Sequence, residues 1–217
     1  MIGFIVALKK EAENFIQALT EKKEVKIIDK LAYEGYFCGK KVVLIICGIG
    51  KVNASLSTQA LIDIYNPDII INFGSAGGMN STTKIKEYYL VDKCCQYDFD
   101  VSVLDNVPVG YIQDYDTVFF DCYHDLPIFE KRTLATGDRF NNDVNDLSLI
   151  ADIGCSLRDM EGASIAQVCK ANNKKLIMLK GISDVTGDKT ANEQFVLNLA
   201  SVSNGFPNEI KRIIELL

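Results

Sequence analysis

Four continuous runs of apolar, largely β-branched residues constrain the fold more than any other feature of this sequence. Runs of this length suit strands that are covered on both faces. Segments with helical spacing of apolar residues lie between them. The alternation predicts an α/β protein with a mixed, largely parallel sheet. The predicted strands are residues 2–8, 42–47, 69–73 and 176–182, and the predicted helices are residues 11–19, 52–65, 165–171 and 195–217.

Three further segments complete the predicted organisation. Residues 26–46 are expected to form neighbouring antiparallel strands that turn at Gly39-Lys40. Residues 104–132 show no clear periodicity and are predicted to be irregular, as a loop over a pocket. Gly205 and Pro207 are expected to interrupt the terminal helix. No linker divides the 217 residues, so one domain over residues 1–217 is expected.

Charge and cysteine usage exclude several classes of protein. The formal net charge of -6 lacks the positive field that a nucleic-acid polymer requires. The apolar start, residues 1–8, is too short for a signal peptide and precedes its lysines, and no run is long enough to span a membrane. The 7 cysteines form no CxxC pair, which indicates reduced thiols. These features together predict a cytoplasmic protein with neither a nucleic-acid nor a membrane partner.

Two glycine-rich segments follow predicted strands. They are Cys47-Gly48-Ile49-Gly50-Lys51 and Gly74-Ser75-Ala76-Gly77-Gly78, both interpreted as turns. In open α/β sheets ligands bind at the carboxyl ends of strands, where glycine lets main-chain N–H groups approach a ligand. Neither segment matches a dinucleotide or P-loop pattern. An ordinary tight turn remains the alternative for each.

Carboxylates are the candidates for acid–base chemistry, because the chain has one histidine. His124 lies in the irregular region, where a structural role is favoured over catalysis. Glu11, Glu161 and Asp184 each stand at the end of an apolar element, where burial can move a carboxyl pKa toward the working pH. Each could instead be an ordinary helix-terminal or turn acid. Asp98 and Asp100 are interpreted as solvated strand-edge residues rather than metal ligands.

The order of five motifs closely resembles the purine nucleoside phosphorylase superfamily. Within it the sequence is most similar to the 5'-methylthioadenosine/S-adenosylhomocysteine nucleosidase branch. This resemblance implies a three-layer αβα domain. The motifs are Gly48-Ile49-Gly50-Lys51-Val52-Asn53-Ala54, Asn72-Phe73-Gly74-Ser75-Ala76-Gly77-Gly78, Thr136-Gly137-Asp138-Arg139-Phe140, Asp159-Met160-Glu161-Gly162-Ala163 and Ile182-Ser183-Asp184.

The resemblance implies catalytic roles for three carboxylates. Asp184 would be the general acid at purine N7, held in place by Ser183, and Glu11 would deprotonate the attacking water. Glu161 would accept hydrogen bonds from the ribose hydroxyls, and Met160 would pack under the sugar. No metal or organic cofactor is implied.

The same resemblance implies further substrate contacts. Phe140 would stack on the purine, and the main chain at Asn141 would bind its Watson–Crick edge. An aspartate at position 184 is similar to the branch that prefers 6-aminopurines, so adenine is the expected base. The remaining implied contacts are Ile49, Ser75, Ala76, Gly77, Asp159 and Lys180.

Several positions depart from the nucleosidase pattern. Asp159 and Lys180 stand where these enzymes usually carry glutamate and arginine, and the lysine lacks the planar fork of arginine. By ungapped alignment Asn192 replaces an aromatic residue. Lys9-Lys10 replaces an acidic pair.

Hydrolysis and phosphorolysis both remain possible outcomes of the same site. Phosphate is usually bound by bidentate arginine. The 4 arginines are at positions 132, 139, 158 and 212, whereas the phosphorylases place arginines in the N-terminal half. Water is therefore the favoured nucleophile. Lys9, Lys10 and Lys51 keep phosphorolysis open, and a nucleoside-binding protein that has lost turnover is the alternative of another class.

Homodimers or larger oligomers are the rule in the family that this sequence resembles. A homodimer is therefore expected, with Val101 and Leu104 reaching across to the partner's pocket. The alternative for both side chains is an ordinary core or surface position.

Overall fold

The apolar runs form the centre of a mixed ten-stranded sheet. In the computed structural model, which describes residues 1–79, 82–123, 125–140, 143–185 and 191–217, strands β4, β1, β5 and β10 run parallel to one another. Strands β2, β3 and β4 form an antiparallel extension at one edge. The strands are β1 Ile2–Val6, β2 Thr20–Ile27, β3 Lys30–Phe37, β4 Lys40–Ile46, β5 Ile69–Gly78, β6 Tyr88–Gln96, β7 Phe120–Asp121, β8 Lys131–Thr136, β9 Leu157–Asp159 and β10 Lys175–Val185.

Helices cover both faces of this sheet, which confirms the predicted α/β class and its three layers. Successive residues of a strand point to opposite faces. Ile5 of β1 accordingly packs with α2 and α5, whereas Phe4 packs with α1 and α6. The helices are α1 Lys9–Gln17, α2 Lys51–Tyr65, α3 Ser102–Asp105, α4 Val144–Asp152, α5 Gly162–Ala171 and α6 Ala191–Ile214. None of the helices in the described ranges is long and apolar enough to cross a membrane.

One end of the sheet closes on itself. Strand β10 pairs with β5 on one side and with β6 on the other, and the order β6-β8-β9-β5 completes the ring. The interpretation of residues 74–78 as a turn is therefore wrong. They are the last part of β5, where Ser75 pairs with Gly181 of β10 and Gly77 with Arg158 of β9. Pairing on both sides satisfies main-chain groups that a turn would leave open.

The terminal helix is continuous, so the predicted interruption at Gly205 and Pro207 is also wrong. Helix α6 contains both residues. A proline inside a helix costs about 3 kcal/mol. The side chains of Val202, Phe206 and Ile210 are fully buried, and their burial stabilises the helix by more than the proline costs.

The remaining segment predictions have mixed outcomes. The antiparallel strands predicted within residues 26–46 are confirmed as β3 and β4, with the turn between Phe37 and Lys40. The described residues of 104–132 are mostly irregular, but they include the end of α3, a short 3-10 helix at Gln113–Tyr115, β7 and the start of β8. Asp98 is not a solvated edge residue, because its side chain is only 11% exposed and pairs with Lys51. Asp100 is exposed, as predicted, and accepts a hydrogen bond from the Ser102 N–H.

Candidate active site

The carboxyl ends of the parallel strands meet around one cavity. Strands β1, β4, β5 and β10 end at the same edge of the sheet, where ligands bind in folds of this kind. The cavity has a volume of about 330 Å³, within the usual range for small-molecule sites. Its described lining residues are Ala7, Leu8, Glu11, Ile49, Ser75, Ala76, Gly77, Arg139, Phe140, Arg158, Asp159, Met160, Glu161, Ser183, Asp184 and Phe195.

Glu11 is held rigidly at the start of α1. Its Oε1 accepts hydrogen bonds from the Ser75 N–H at 2.7 Å and from the Ser75 hydroxyl at 2.6 Å. Its Oε2 accepts from the Leu8 N–H at 3.1 Å. A Cβ at position 74 would lie 3.3 Å from Oε1, so Gly74 gives the carboxylate room against β5. The side chain is thus buried and fixed in orientation.

Glu161 lies across the cavity at the N-terminus of α5. Its Oε1 accepts a hydrogen bond from the Gly50 N–H at 2.9 Å. Gly50 has a φ of 96°, a left-handed conformation that favours glycine. Burial, followed by the charge of Asp159, raises the pKa of Glu161 to about 7, although Lys180 and the Gly50 N–H oppose the shift. This carboxyl group therefore titrates near neutral pH.

Asp184 follows the bulge near the end of β10. Its Oδ1 accepts a hydrogen bond from the Ser183 hydroxyl at 2.7 Å. The main chain at Ser183 is itself fixed by the Asn198 side-chain amide, which donates to its carbonyl at 3.0 Å. Burial raises the pKa of Asp184, although the hydrogen bond from Ser183 and the charge of Arg158 lower it. A carboxyl with a raised pKa is suited to carry a proton for transfer.

A fully buried ion pair supports the floor of the cavity. The Nζ of Lys180 lies 2.8 Å from Oδ2 of Asp159, and both side chains are at most 2% exposed. Asp159 also accepts hydrogen bonds from the Thr136 hydroxyl at 2.6 Å and the Gly162 N–H at 2.8 Å. Burial alone would lower the pKa of Lys180, but Asp159 and other nearby carboxylates raise it. Lys180 therefore stays charged, and its ion pair with Asp159 links β10 to β9 across β5.

Most of the site residues expected from the sequence line this one cavity. The exceptions with described positions are Lys180, which lies behind the lining, and Val101 and Leu104, which lie away from the cavity of their own chain. Leu104 is 80% exposed. Asn141 and His124 lie outside the described residues. No described residue of 104–132 lines this cavity, so the prediction of a loop over a pocket stays a prediction.

Five lining residues were not predicted from the sequence. Ala7 and Leu8 follow β1, and this position alone could have indicated them. Arg139 lies in the motif Thr136-Gly137-Asp138-Arg139-Phe140, in which the resemblance implies a role only for Phe140. Arg158 precedes Asp159 in a strand of three residues, which is too short for a periodic signal. Phe195, one helical turn beyond Asn192, supplies an aromatic ring 5.5 Å from that of Phe140.

The lysines considered for phosphate binding do not reach the cavity. Lys9 and Lys10 are exposed on α1 and are absent from its lining. The Nζ of Lys51 lies 2.6 Å from Oδ1 of Asp98, and the Lys51 N–H donates to Asp138 at 2.8 Å. Among the described residues, no three His, Cys, Asp or Glu side chains group as metal ligands would. The charged groups that face this cavity are therefore carboxylates and two arginines.

Fold and site together define an α/β protein with a small-molecule pocket in which two acids of raised pKa face a third, rigidly held carboxylate. The sequence model of the Phosphorylase superfamily matches residues 1–215. The chain belongs to this superfamily, which confirms the resemblance of its motifs.

Individual relatives agree with the family match. The chain is 34% identical to the 5'-methylthioadenosine/S-adenosylhomocysteine nucleosidase of Buchnera aphidicola subsp. Acyrthosiphon pisum, over 100% of this chain and 98% of the relative. It is 33% identical to the nucleosidase of the same description from Exiguobacterium sp., over 94% and 93%. A crystal structure of the Neisseria meningitidis nucleosidase, in complex with methylthio-immucillin-A, superposes with a TM-score of 0.92 at 26% identity, covering 100% of this chain and 99% of that one.

Proposed function

We propose that this protein hydrolyses the N-glycosidic bond of an adenine nucleoside of the 5'-methylthioadenosine or S-adenosylhomocysteine type, giving adenine and the free thioribose sugar. Its similarity to nucleosidases of that description over nearly the whole chain supports the reaction. The observation that carries the proposal is the convergence of Glu11, Glu161 and Asp184 on one cavity of about 330 Å³.

Asp184 acts on the leaving group in this reaction. The bond between C1' and N9 breaks with its electron pair moving into the purine, which must gain a proton to leave as neutral adenine. Asp184 donates that proton to N7, and its raised pKa favours the protonated form that can do so. Ser183 orients the carboxyl group through its 2.7 Å hydrogen bond.

Glu11 and Glu161 act on the sugar side. Water adds its oxygen to C1' and passes one proton to Glu11, whose orientation is fixed by Ser75 and Leu8. Glu161 accepts hydrogen bonds from the ribose hydroxyls and places negative charge near the cationic sugar. Cleavage through an oxocarbenium-like state requires this combination of a base, an acid and a negative charge.

Apolar and main-chain groups complete the pocket for the nucleoside. Phe140 and Phe195 offer ring faces for the purine, and Met160 packs under the ribose. Ser75, Ala76 and Gly77 form the main-chain wall. Ile49 is half exposed at the rim, which suits contact with a 5' substituent. Asp159 and Lys180 support Glu161 and the floor.

Water rather than phosphate is the nucleophile in this proposal. The three candidate lysines are exposed or paired elsewhere. Arg139 pairs with Asp146 at 2.9 Å. Arg158 is paired with Gly77 in the sheet, whereas the catalytic base Glu11 is bound by Ser75, two residues earlier in β5. Neither arginine therefore marks a phosphate site beside the catalytic base. The protein is also expected to act without a metal or organic cofactor, so chelators should leave the rate unchanged.

Product analysis tests the proposed reaction. Purified protein is incubated with 5'-methylthioadenosine, adenosine and inosine, with and without inorganic phosphate, and both products are identified. Adenine and free sugar in phosphate-free buffer are the expected result. A strict requirement for phosphate would establish phosphorolysis instead. Tight binding without products would favour a nucleoside-binding protein that has lost turnover.

We further infer that residues 1–217 form one domain and that the protein acts in the cytoplasm as a homodimer. Val101 precedes α3 and Leu104 lies within it. In this helix Val103 is 94% exposed and Leu104 is 80% exposed. Exposed apolar side chains of this size suit an interface. Sedimentation measurements on the wild type and on the Leu104→Asp variant test the dimer, which the variant should weaken. A wild-type monomer would contradict it.

A further inference from the structure

Arg158 and Asp184 flank the same glycine on two neighbouring strands. Gly77 of β5 pairs with Asp184 of β10 on one side and with Arg158 of β9 on the other. Directly paired residues project to the same face of a sheet. Both side chains line the same cavity, and position 77 has no side chain to separate them.

Both charged groups are withdrawn from solvent. Arg158 is 7% exposed and Asp184 is 2% exposed. Burial lowers the pKa of Arg158, whereas the negative charge of Asp184 is the main effect that raises it. An arginine remains positively charged in such a setting, and attraction between charges is strong where water is excluded.

Other polar and charged groups surround the pair. Tyr97, which follows β6, and Asp146 of α4 raise the pKa of Arg158, and Asp146 is paired with Arg139. Ser183 donates its hydroxyl to Asp184. The other acids that line the cavity are Glu11 of α1, Asp159 of β9 and Glu161 at the start of α5.

We propose that Arg158 is a positioning residue for Asp184: its guanidinium, across Gly77, sets how tightly that carboxyl holds the proton it shares with the purine. Burial on its own would hold this proton too tightly for release, and the neighbouring positive charge offsets that effect. Arg158 thereby tunes the acid of the reaction. The role in turnover rests on the proposed function, whereas the coupling between the two charges does not.

Titration of the Asp184 carboxyl group in the ligand-free protein tests the coupling directly. Carboxyl carbon-13 NMR follows the group, and the signal is assigned by its loss in Asp184→Asn. In Arg158→Met the midpoint should move to higher pH, and in Arg158→Lys it should return toward the wild-type value. Arg132→Met, which removes a cation that pairs with Glu130 outside the cavity, is the matched control and should leave the midpoint unchanged.

The pH profile of kcat/KM provides a second readout. One limb of this profile should report the titration of Asp184 and should therefore be missing in Asp184→Asn. In Arg158→Met the same limb should move to higher pH, whether the protonated or the ionised form of Asp184 is the active one. A purely structural role would lower the rate without moving this limb. An unchanged Asp184 midpoint in folded Arg158→Met would overturn the inference, even if hydrolysis is established. A shifted midpoint in a protein without hydrolysis would overturn the proposed function and leave the coupling intact.

Discussion

Ser75 donates both its main-chain N–H and its hydroxyl to the same oxygen of Glu11, at 2.7 and 2.6 Å. The second oxygen of Glu11 accepts the Leu8 N–H. One carboxylate is thus bound to two segments, the end of β5 and the start of α1. A base held this firmly loses little orientational freedom when water must be deprotonated.

Removal of the base should abolish most turnover. Glu11→Gln keeps the size of the side chain but cannot take a proton, so kcat should fall about a hundredfold or more. Ser75→Ala removes only the hydroxyl donor and should cost about tenfold, near the value of one hydrogen bond to a charged group. Steady-state kinetics with 5'-methylthioadenosine measure both. A Ser75→Ala loss larger than that of Glu11→Gln would contradict the assignment.

The rate should depend on the ionisation of Glu161. Its carboxylate must be charged to stabilise the cationic sugar, and its pKa is raised to about 7. The value of kcat/KM should therefore rise with pH through about 7, and Glu161→Gln should lower the rate and remove this limb. A wild-type pH profile in Glu161→Gln would exclude the role.

Ionisation of Glu161, which should raise the rate, should lower the stability of the folded protein. Its pKa is higher in the folded state than its ordinary value of 4.5, so its contribution to stability is fully present below that value. The contribution is lost as pH rises through about 7. Urea unfolding of wild type and Glu161→Gln between pH 4 and 8 measures it. The stability of wild type relative to the variant should decrease across this range, and a constant difference would contradict the shift.

The buried pair of Lys180 and Asp159 should tolerate loss of both charges better than loss of one. Lys180→Met or Asp159→Asn leaves one buried charge without its partner and should cost about 3–5 kcal/mol in the free energy of unfolding. The double variant should cost less than either single change, and Lys180→Arg, which keeps the charge, serves as the control. Additive losses in the double variant would show that the pair is not coupled.

Gly205 should resist a substitution that usually stabilises helices. Glycine to alanine gains about 1 kcal/mol inside an exposed helix. A Cβ at position 205 would lie 2.0 Å from the Tyr88 hydroxyl oxygen, which donates to the Val202 carbonyl at 2.5 Å. Gly205→Ala should therefore lower Tm, whereas Ser201→Ala, at an exposed position of the same helix, should not. A higher Tm in Gly205→Ala would refute this packing.

The sequence predicted the parallel centre of the fold because β1, β4, β5 and β10 are buried on both faces and consist of apolar runs. It missed β2, whose outer residues Thr20 to Glu24 are exposed and charged or polar, because edge strands lack that pattern. It missed β6 because Asp92 and Lys93 interrupt its apolar residues. Strand signals of this kind report burial rather than pairing.

The candidate site was predicted largely through its motifs, since spacing alone left Glu11, Glu161 and Asp184 with ordinary alternatives. A role for Arg158 could not be predicted, because it depends on strand pairing at Gly77 between segments that are distant in the sequence. Phe195 escaped because an ungapped alignment placed the aromatic position at Asn192. A single sequence specifies neither the strand pairing that brings Arg158 beside Gly77 nor the alignment gaps that would place an aromatic residue at Phe195.

The most direct test of the central claim is a crystal structure of Asp184→Asn with bound 5'-methylthioadenosine. The nucleoside should occupy the cavity with purine N7 beside residue 184, the ribose hydroxyls on Glu161, and a water molecule between C1' and Glu11. Density for the nucleoside at any other surface, or with the ribose turned away from Glu161, would contradict it.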